Sequence, residues 1–219
     1  MKKEVVIIGL GRFGTSMCRE LNRLGHDILA IDTDEEKVNE VSDCTTQAVI
    51  ANATDENVLK SLGVRNFEHA VVAIGDNLQS SVLCTLILKE MGISTIWVKA
   101  RDLQHQKILE KVGADRVIQP EYEMGVRMAH HLNSEKIIDY INLSEEYSII
   151  ELVAPPSISG KTLFQLDIRA KFNCTVLAIK RFEDVNIAPS PEDEIVKGNI
   201  LVLMGHKDDL KQFEEKGLS

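Results

Sequence analysis

The chain lacks the marks of several protein classes. Its four cysteines, Cys18, Cys44, Cys84 and Cys174, lie far apart and form no CxxC. That argues against a disulfide or zinc framework and for reduced, buried thiols in a cytosolic protein. Basic charge is short as well: 25 Lys and Arg against 34 Asp and Glu give a formal net charge of -9. Neither nucleic acid nor anionic lipid is attracted by such an overall field. No apolar run approaches the roughly 20 residues needed to cross a bilayer, and no signal-peptide pattern precedes the first strand. A P-loop GxxxxGK[ST] is missing, which disfavours nucleotide hydrolysis by that route. No Ser/His/Asp or Cys/His arrangement follows from the spacing. His130 and His131 are neighbours on a predicted helix and point about 100° apart, a poor metal pair. What is present is an ordinary globular composition, 44% hydrophobic and 27% charged over 219 residues, enough for one large domain or two small ones.

Up to about Pro120 the pattern alternates strand and helix. Apolar runs predict strands at Glu4 to Ile8, Asp27 to Ile31, Gln47 to Ile50, His69 to Ile74, Thr95 to Lys99 and Arg116 to Ile118. Between them, helical stretches close on Gly25, Gly63, Gly92 and Gly113; the first sets Met17, Leu21 and Leu24 on one side. Strict β/α alternation predicts a Rossmann-like, doubly wound parallel sheet with helices on both faces. Pro120 then suits the first turn of a helix carrying a stripe of Met124, Met128, Ala129 and Leu132. From Leu143 the spacing predicts a small α+β domain: short strands at Tyr147 to Val153, Thr175 to Lys180, Val185 to Ala188 and Ile200 to Met204. Helices are predicted at Thr162 to Lys171 and Asp208 to Lys216. The expected division is residues 1–120, a bridging helix at 121–134, and a second domain at 135–219.

The strongest chemical signal is GLGRFG, with Gly9, Gly11 and Gly14 placed directly after a strand and opening a helix. There the first glycine permits a tight turn, the second lets backbone approach a diphosphate, and the third lets helix and strand pack closely. The helix N-terminus offers free N–H groups and partial positive charge to the phosphates. Asp32 ends the second strand, where a carboxylate accepts from ribose hydroxyls and repels a 2′-phosphate, disfavouring NADP. Asp34 either touches the ligand or caps the next helix. Arg12, inside the loop, either holds additional phosphates or joins a surface ion pair.

Taken together, VIIGLGRFG, AIDTDEEKV, VIANATDE, NFEHAVVAIG, IWVKARD, KVGADRVIQPE, LDIRAKF and ILVLMGH resemble the regulatory RCK (KTN) subunits of bacterial Ktr/Trk potassium uptake systems, Ktr-type in particular. The resemblance spans the whole chain. It implies a non-enzymatic cytosolic subunit in a homo-octameric ring, docked on the cytosolic face of the membrane through a potassium-translocating partner. It implies ATP or ADP in the first domain, with NAD(H) as a further candidate, ATP favouring the conducting state and ADP the inactive one. Carried over by position, that site comprises Gly9, Gly11, Arg12, Phe13, Gly14, Asp32, Thr33, Asp34, Asn52, Ala53, Ile74, Gly75, Asp76, Lys99, Ala100, Arg101, His105 and Glu121. Glu121 would also hold a cation near the phosphates; helix N-terminal charge complementarity is the other role open to it. The second domain is implied to bind cyclic di-AMP at a two-fold interface through Leu163, Phe164, Asp167, Ile168, Arg169, Ala170, Thr175 and a proline, Pro189 or Pro191. Thr175 stands where some relatives carry asparagine. Two other readings of the first domain remain: an NAD-dependent oxidoreductase and an NAD redox sensor.

Overall fold

The computed structural model describes residues 2–133, 136–182 and 184–218. The side chains of His130 and His131 and the expected domain boundary at 134–135 fall outside the described residues.

Two compact units divide the chain, Met1–Pro120 and Glu121–Ser219. The first runs β1 (Glu4–Ile8), α1 (Arg12–Arg23), β2 (Asp27–Asp32), α2 (Glu35–Val41), β3 (Gln47–Ile50), α3 (Glu56–Ser61), β4 (His69–Val72), α4 (Leu78–Glu90), β5 (Thr95–Lys99), α5 (Leu103–Val112) and β6 (Arg116–Ile118). Every strand pair in its sheet is parallel, and the order is β3-β2-β1-β4-β5-β6. The order reverses between β1 and β4, which opens a crevice at their carboxyl ends, the place where open α/β sheets hold ligands.

Side-chain alternation builds the two helical layers. Val6 and Ile8 of β1 join Leu29, Ile31, Leu59, Cys84, Leu88 and Leu109 in a core beneath α3, α4 and α5. Val5 and Ile7 point the other way, into a core with Cys18, Ile28, Ala30, Val38 and Val41 beneath α1 and α2. With both faces covered, a continuous apolar run such as EVVII is what a central parallel strand requires. Each fully buried aliphatic side chain contributes roughly 1.5–3 kcal/mol.

In the second unit α6 (Pro120–Asn133), which begins at the boundary, precedes β7 (Ile137–Asn142), β8 (Tyr147–Val153), α7 (Leu163–Leu166), α8 (Ile168–Phe172), β9 (Thr175–Arg181), β10 (Asp184–Asn186), β11 (Ile200–His206) and α9 (Lys207–Gln212). Its antiparallel strands lie in the order β10-β9-β11-β8-β7. Ile150, Leu152, Leu201 and Leu203 pack from the sheet onto Ile168, Leu210 and Phe213.

Several expectations need correction. Met17 and Leu21 of α1 pack on the core as expected, but Leu24 is exposed, and the most buried residues of the helix are Gly14, Thr15 and Cys18. The fourth strand stops at Val72, before the chain turns into the crevice. Strand β7 falls on residues to which the spacing assigns no element, because its burial alternates poorly at a sheet edge. The single helix expected over Thr162 to Lys171 is two short ones, broken where Asp167 takes the left-handed conformation at φ 47. The closing helix widens into a π turn at Phe213–Gly217. All four cysteines are free, but Cys44 is only half-buried.

Candidate nucleotide site at the sheet crossover

The carboxyl end of β1 is tied to both neighbours. The Gly9 N–H donates to the Ile31 carbonyl at 2.9 Å, and the Ala73 N–H donates to the Ile8 carbonyl at 2.7 Å. Between them the chain must turn at once, and Gly9 does so at φ +94, where a Cβ would lie 3.0 Å from the Ala73 backbone. A Cβ on Gly14 would fall 2.0 Å from the Gly9 carbonyl oxygen, so helix and strand touch backbone to backbone there. Gly11 differs. Its Cβ would meet nothing within 4 Å, which leaves an open cradle beside the start of α1.

That helix start is set apart electrostatically. Helices α2, α3, α4 and α5 are each capped by the preceding Asp34, Asp55, Asn77 or Asp102 side chain. Helix α1 begins on Gly11 with no side-chain cap and no acidic residue in its first turn. Its first-turn N–H groups and dipole are therefore available to an anion.

Asp32, at the end of β2, holds the turn in place. Its Oδ2 accepts the Leu10 N–H at 2.6 Å and its Oδ1 accepts the Asp34 N–H at 3.0 Å. Each oxygen retains a second lone pair that can accept a hydroxyl. Asp34 itself caps α2, its Oδ1 accepting the Glu36 N–H at 3.0 Å, and it lies outside the lining of the crevice.

These groups line an open cleft of about 270 Å³. Of the residues singled out from the sequence it gathers Gly9, Gly11, Asp32, Thr33, Asn52, Ala53, Ile74, Gly75 and Asp76. Asn52 Oδ1 accepts from the Thr54 N–H and hydroxyl at 3.0 and 2.8 Å, which shapes the rim after β3. Lys99 reaches over Gly75, where an added Cβ would lie 3.3 Å from its Nζ.

Other predicted residues lie outside this lining. Phe13 packs on the core beneath α1 and Gly14 is buried against β1. Arg12 is exposed, makes no ion pair among the described residues, and faces a neighbouring groove along α1. Ala100 and His105 are buried and Arg101 is exposed, where β5 passes into α5. The Arg101 N–H donates to His105 Nδ1 at 3.3 Å, while buried Nε2 has no partner. Burial pushes the His105 pKa below its ordinary value, against the pull of Asp102. Glu121 is an exposed residue in the first turn of α6, in the second unit. Among the described residues no three His, Cys, Asp or Glu side chains are grouped to hold a metal.

Lys37, Thr54, Asn77, Ser80 and Cys84 also line the cleft and were not read from the sequence. Lys37, Ser80 and Cys84 sit on helices, Asn77 on a cap and Thr54 in a turn; Lys37 and Thr54 fall within AIDTDEEKV and VIANATDE, but spacing does not say which way any of the five side chains faces. Burial pushes the Cys84 thiol up to about 12, so it stays protonated and offers no nucleophile at neutral pH. The cleft thus combines an open backbone turn at an uncapped helix start with a carboxylate that keeps acceptor capacity.

In the second unit a separate cavity of about 340 Å³ gathers Leu163, Phe164, Asp167, Ile168, Arg169 and Thr175, with both Pro189 and Pro191, and adds Cys174 and Val176. Ala170 is exposed outside that lining. Ile168 is core, whereas Phe164 is 78% exposed at the cavity's edge.

Comparison with known proteins agrees with this architecture. The family model of the TrkA-N domain matches residues 5–120, and that of the TrkA-C domain matches residues 147–216. The Ktr system potassium uptake protein A of Bacillus subtilis is 54% identical over 99% of this chain and 97% of its own. Protein C of the same system is 48% identical over 100% of this chain and 99% of its own. Among solved structures the GsuK channel superposes with a TM-score of 0.70 at 18% identity, over 100% of this chain and 40% of that one, a likeness of fold. No described helix is long and apolar enough to cross a membrane. With both domains in order, and more than half its residues identical to such a protein from end to end, the chain belongs to the TrkA (RCK-domain) family as a Ktr-type potassium uptake regulatory protein.

Proposed function

We propose that this chain is the cytosolic, non-enzymatic subunit that gates a potassium-translocating membrane protein, responding to an adenine nucleotide in the first unit. The observation that carries the reading is the pairing of Asp32 with the uncapped turn at Gly11, at the crossover of the sheet. A carboxylate there recognises ribose hydroxyls, and open backbone beside a helix N-terminus recognises a diphosphate. ATP and ADP share these groups with NAD(H), so all three fit the same donors. The ATP-conducting, ADP-inactive assignment and the ring of eight subunits follow from the family resemblance. Arg12, exposed beside the turn, is the group assigned to further phosphates. Glu121 is the residue assigned to a cation near the phosphates, a role that likewise follows from the family resemblance.

The cavity of the second unit is assigned to cyclic di-AMP. Arg169 is its phosphate partner, and Leu163, Phe164, Ile168 and the two prolines are its apolar walls. A two-fold ligand between two copies would use each of these groups twice.

Potassium flux into vesicles carrying the reconstituted complex tests the proposal. Flux should be higher with ATP than with ADP, and cyclic di-AMP should change it independently. Identical flux with and without every nucleotide would refute gating. Calorimetry on Asp32→Ala separates binding from gating: the variant should lose adenine nucleotide affinity by roughly tenfold or more, as expected when a charged hydrogen-bond acceptor is removed.

A further inference from the structure

Two hollows of the first unit meet at one side chain. The sugar-and-phosphate cleft adjoins a groove of about 610 Å³ along α1, which Arg12, Arg19 and Arg23 help to line. The two share Gly11 and Lys37. Gly11 offers only backbone, so Lys37 is the cation where one space opens into the other. Among the described residues it is the one Lys or Arg in the lining of the cleft, which also includes the carboxylates Asp32 and Asp76.

Its present partner holds it loosely. Lys37 Nζ lies 3.3 Å from Asp34 Oδ2, and the two side chains are 46% and 42% exposed. Exposed pairs of this kind contribute little. Asp34 does not depend on the contact, because its other oxygen caps α2. The groove's Arg19 and Arg23 are instead engaged at 2.8 and 2.6 Å by Glu40 and Glu20. Lys37 therefore gives up less than Arg19 or Arg23 on changing partners; Arg12, which has no ion pair among the described residues, lines the groove and not the cleft.

We propose that Lys37 is a specificity residue that grips the phosphate chain of the nucleotide as it leaves the ribose clamp and passes Gly11, exchanging Asp34 for a phosphate oxygen. The inference rests on the adenine-nucleotide reading above. Asp32 recognises the sugar and so treats nucleoside and nucleotide alike. Backbone at Gly11 accommodates a phosphate but carries no full charge. Within the cleft itself Lys37 supplies charge that separates ligands with a phosphate chain from those without one, with Arg12 left to phosphates farther along, since an ammonium–phosphate hydrogen bond is stronger than a neutral one.

The test is calorimetry on the full chain with adenosine, AMP and ADP, comparing wild type with Lys37→Met and Lys37→Arg. Lys37→Met should weaken ADP about tenfold while adenosine stays within about twofold, and Lys37→Arg should retain most of the ADP affinity. The salt dependence of ADP binding should also flatten in Lys37→Met. Equal ADP affinity in wild type and Lys37→Met overturns the proposal. Equal losses for adenosine and ADP overturn it too, since they would mark a role in the shape of the cleft. Should wild type bind none of the three ligands, the nucleotide reading falls and this inference with it.

Discussion

An alanine methyl at Gly14 would sit 2.0 Å from a backbone oxygen, whereas one at Gly11 would meet nothing. The two glycines are alike in the sequence motif and opposite in physical role. Gly14→Ala forces helix and strand apart and should destabilise the protein by about 3 kcal/mol, as overpacked core substitutions do. Gly11→Ala, at φ -70, should leave thermal stability within about 0.5 kcal/mol and abolish nucleotide binding by filling the cradle. Thermal melts and calorimetry on both variants check the pair; a Gly11→Ala protein that binds normally would remove the phosphate role of the turn. At this scale the motif was legible because glycines at this spacing, after a strand and before a helix, mark the turn. Lys37 was not, since a lysine on a polar helix looks the same facing solvent or facing a ligand.

Caps organise the elements. Asp or Asn opens each of α2 to α5, and α1 alone among these opens without one. At α5 the cap adjoins a buried imidazole: Asp102 Oδ1 accepts the His105 N–H at 2.8 Å, and His105 Nδ1 accepts the Arg101 N–H at 3.3 Å. Burial lowers the His105 pKa from its ordinary 6.5. Below that value the unfolded chain binds the proton more readily than the folded one. Stability from this group is therefore complete above 6.5 and is lost as the pH falls through the depressed value. His105→Asn keeps an acceptor for Arg101 and removes the titration. Its melting temperature should fall less steeply than that of wild type on going from pH 7 to 5; parallel curves would show that His105 is not the group responsible. Element types were readable from periodicity and capping residues. The break at Asp167 was not, because a left-handed aspartate inside LDIRAKF leaves the helical spacing of the apolar residues intact.

For the molecule as a whole, each unit carries its own core. The two aliphatic layers of the parallel sheet lie within residues 1–120, and the antiparallel sheet has a separate cluster. A fragment ending at Pro120 should therefore fold by itself, with one sharp thermal transition followed by circular dichroism. A broad, non-cooperative melt would show that the first core needs the second unit. The strand order at this scale places the functional groups: the reversal between β1 and β4 brings Asp32, Asn52 and Asp76, which lie far apart in sequence, to the rim of one cleft.

The sequence by itself determined the alternation of strand and helix, the glycine turn and the carboxylate that ends the second strand, because these depend on local spacing and on properties of single residue types. Only the tertiary structure decided which glycine faces empty space, which helix start lacks a cap, and that Lys37 stands between two cavities. Those facts depend on what packs against each residue, and packing is settled by partners distant along the chain.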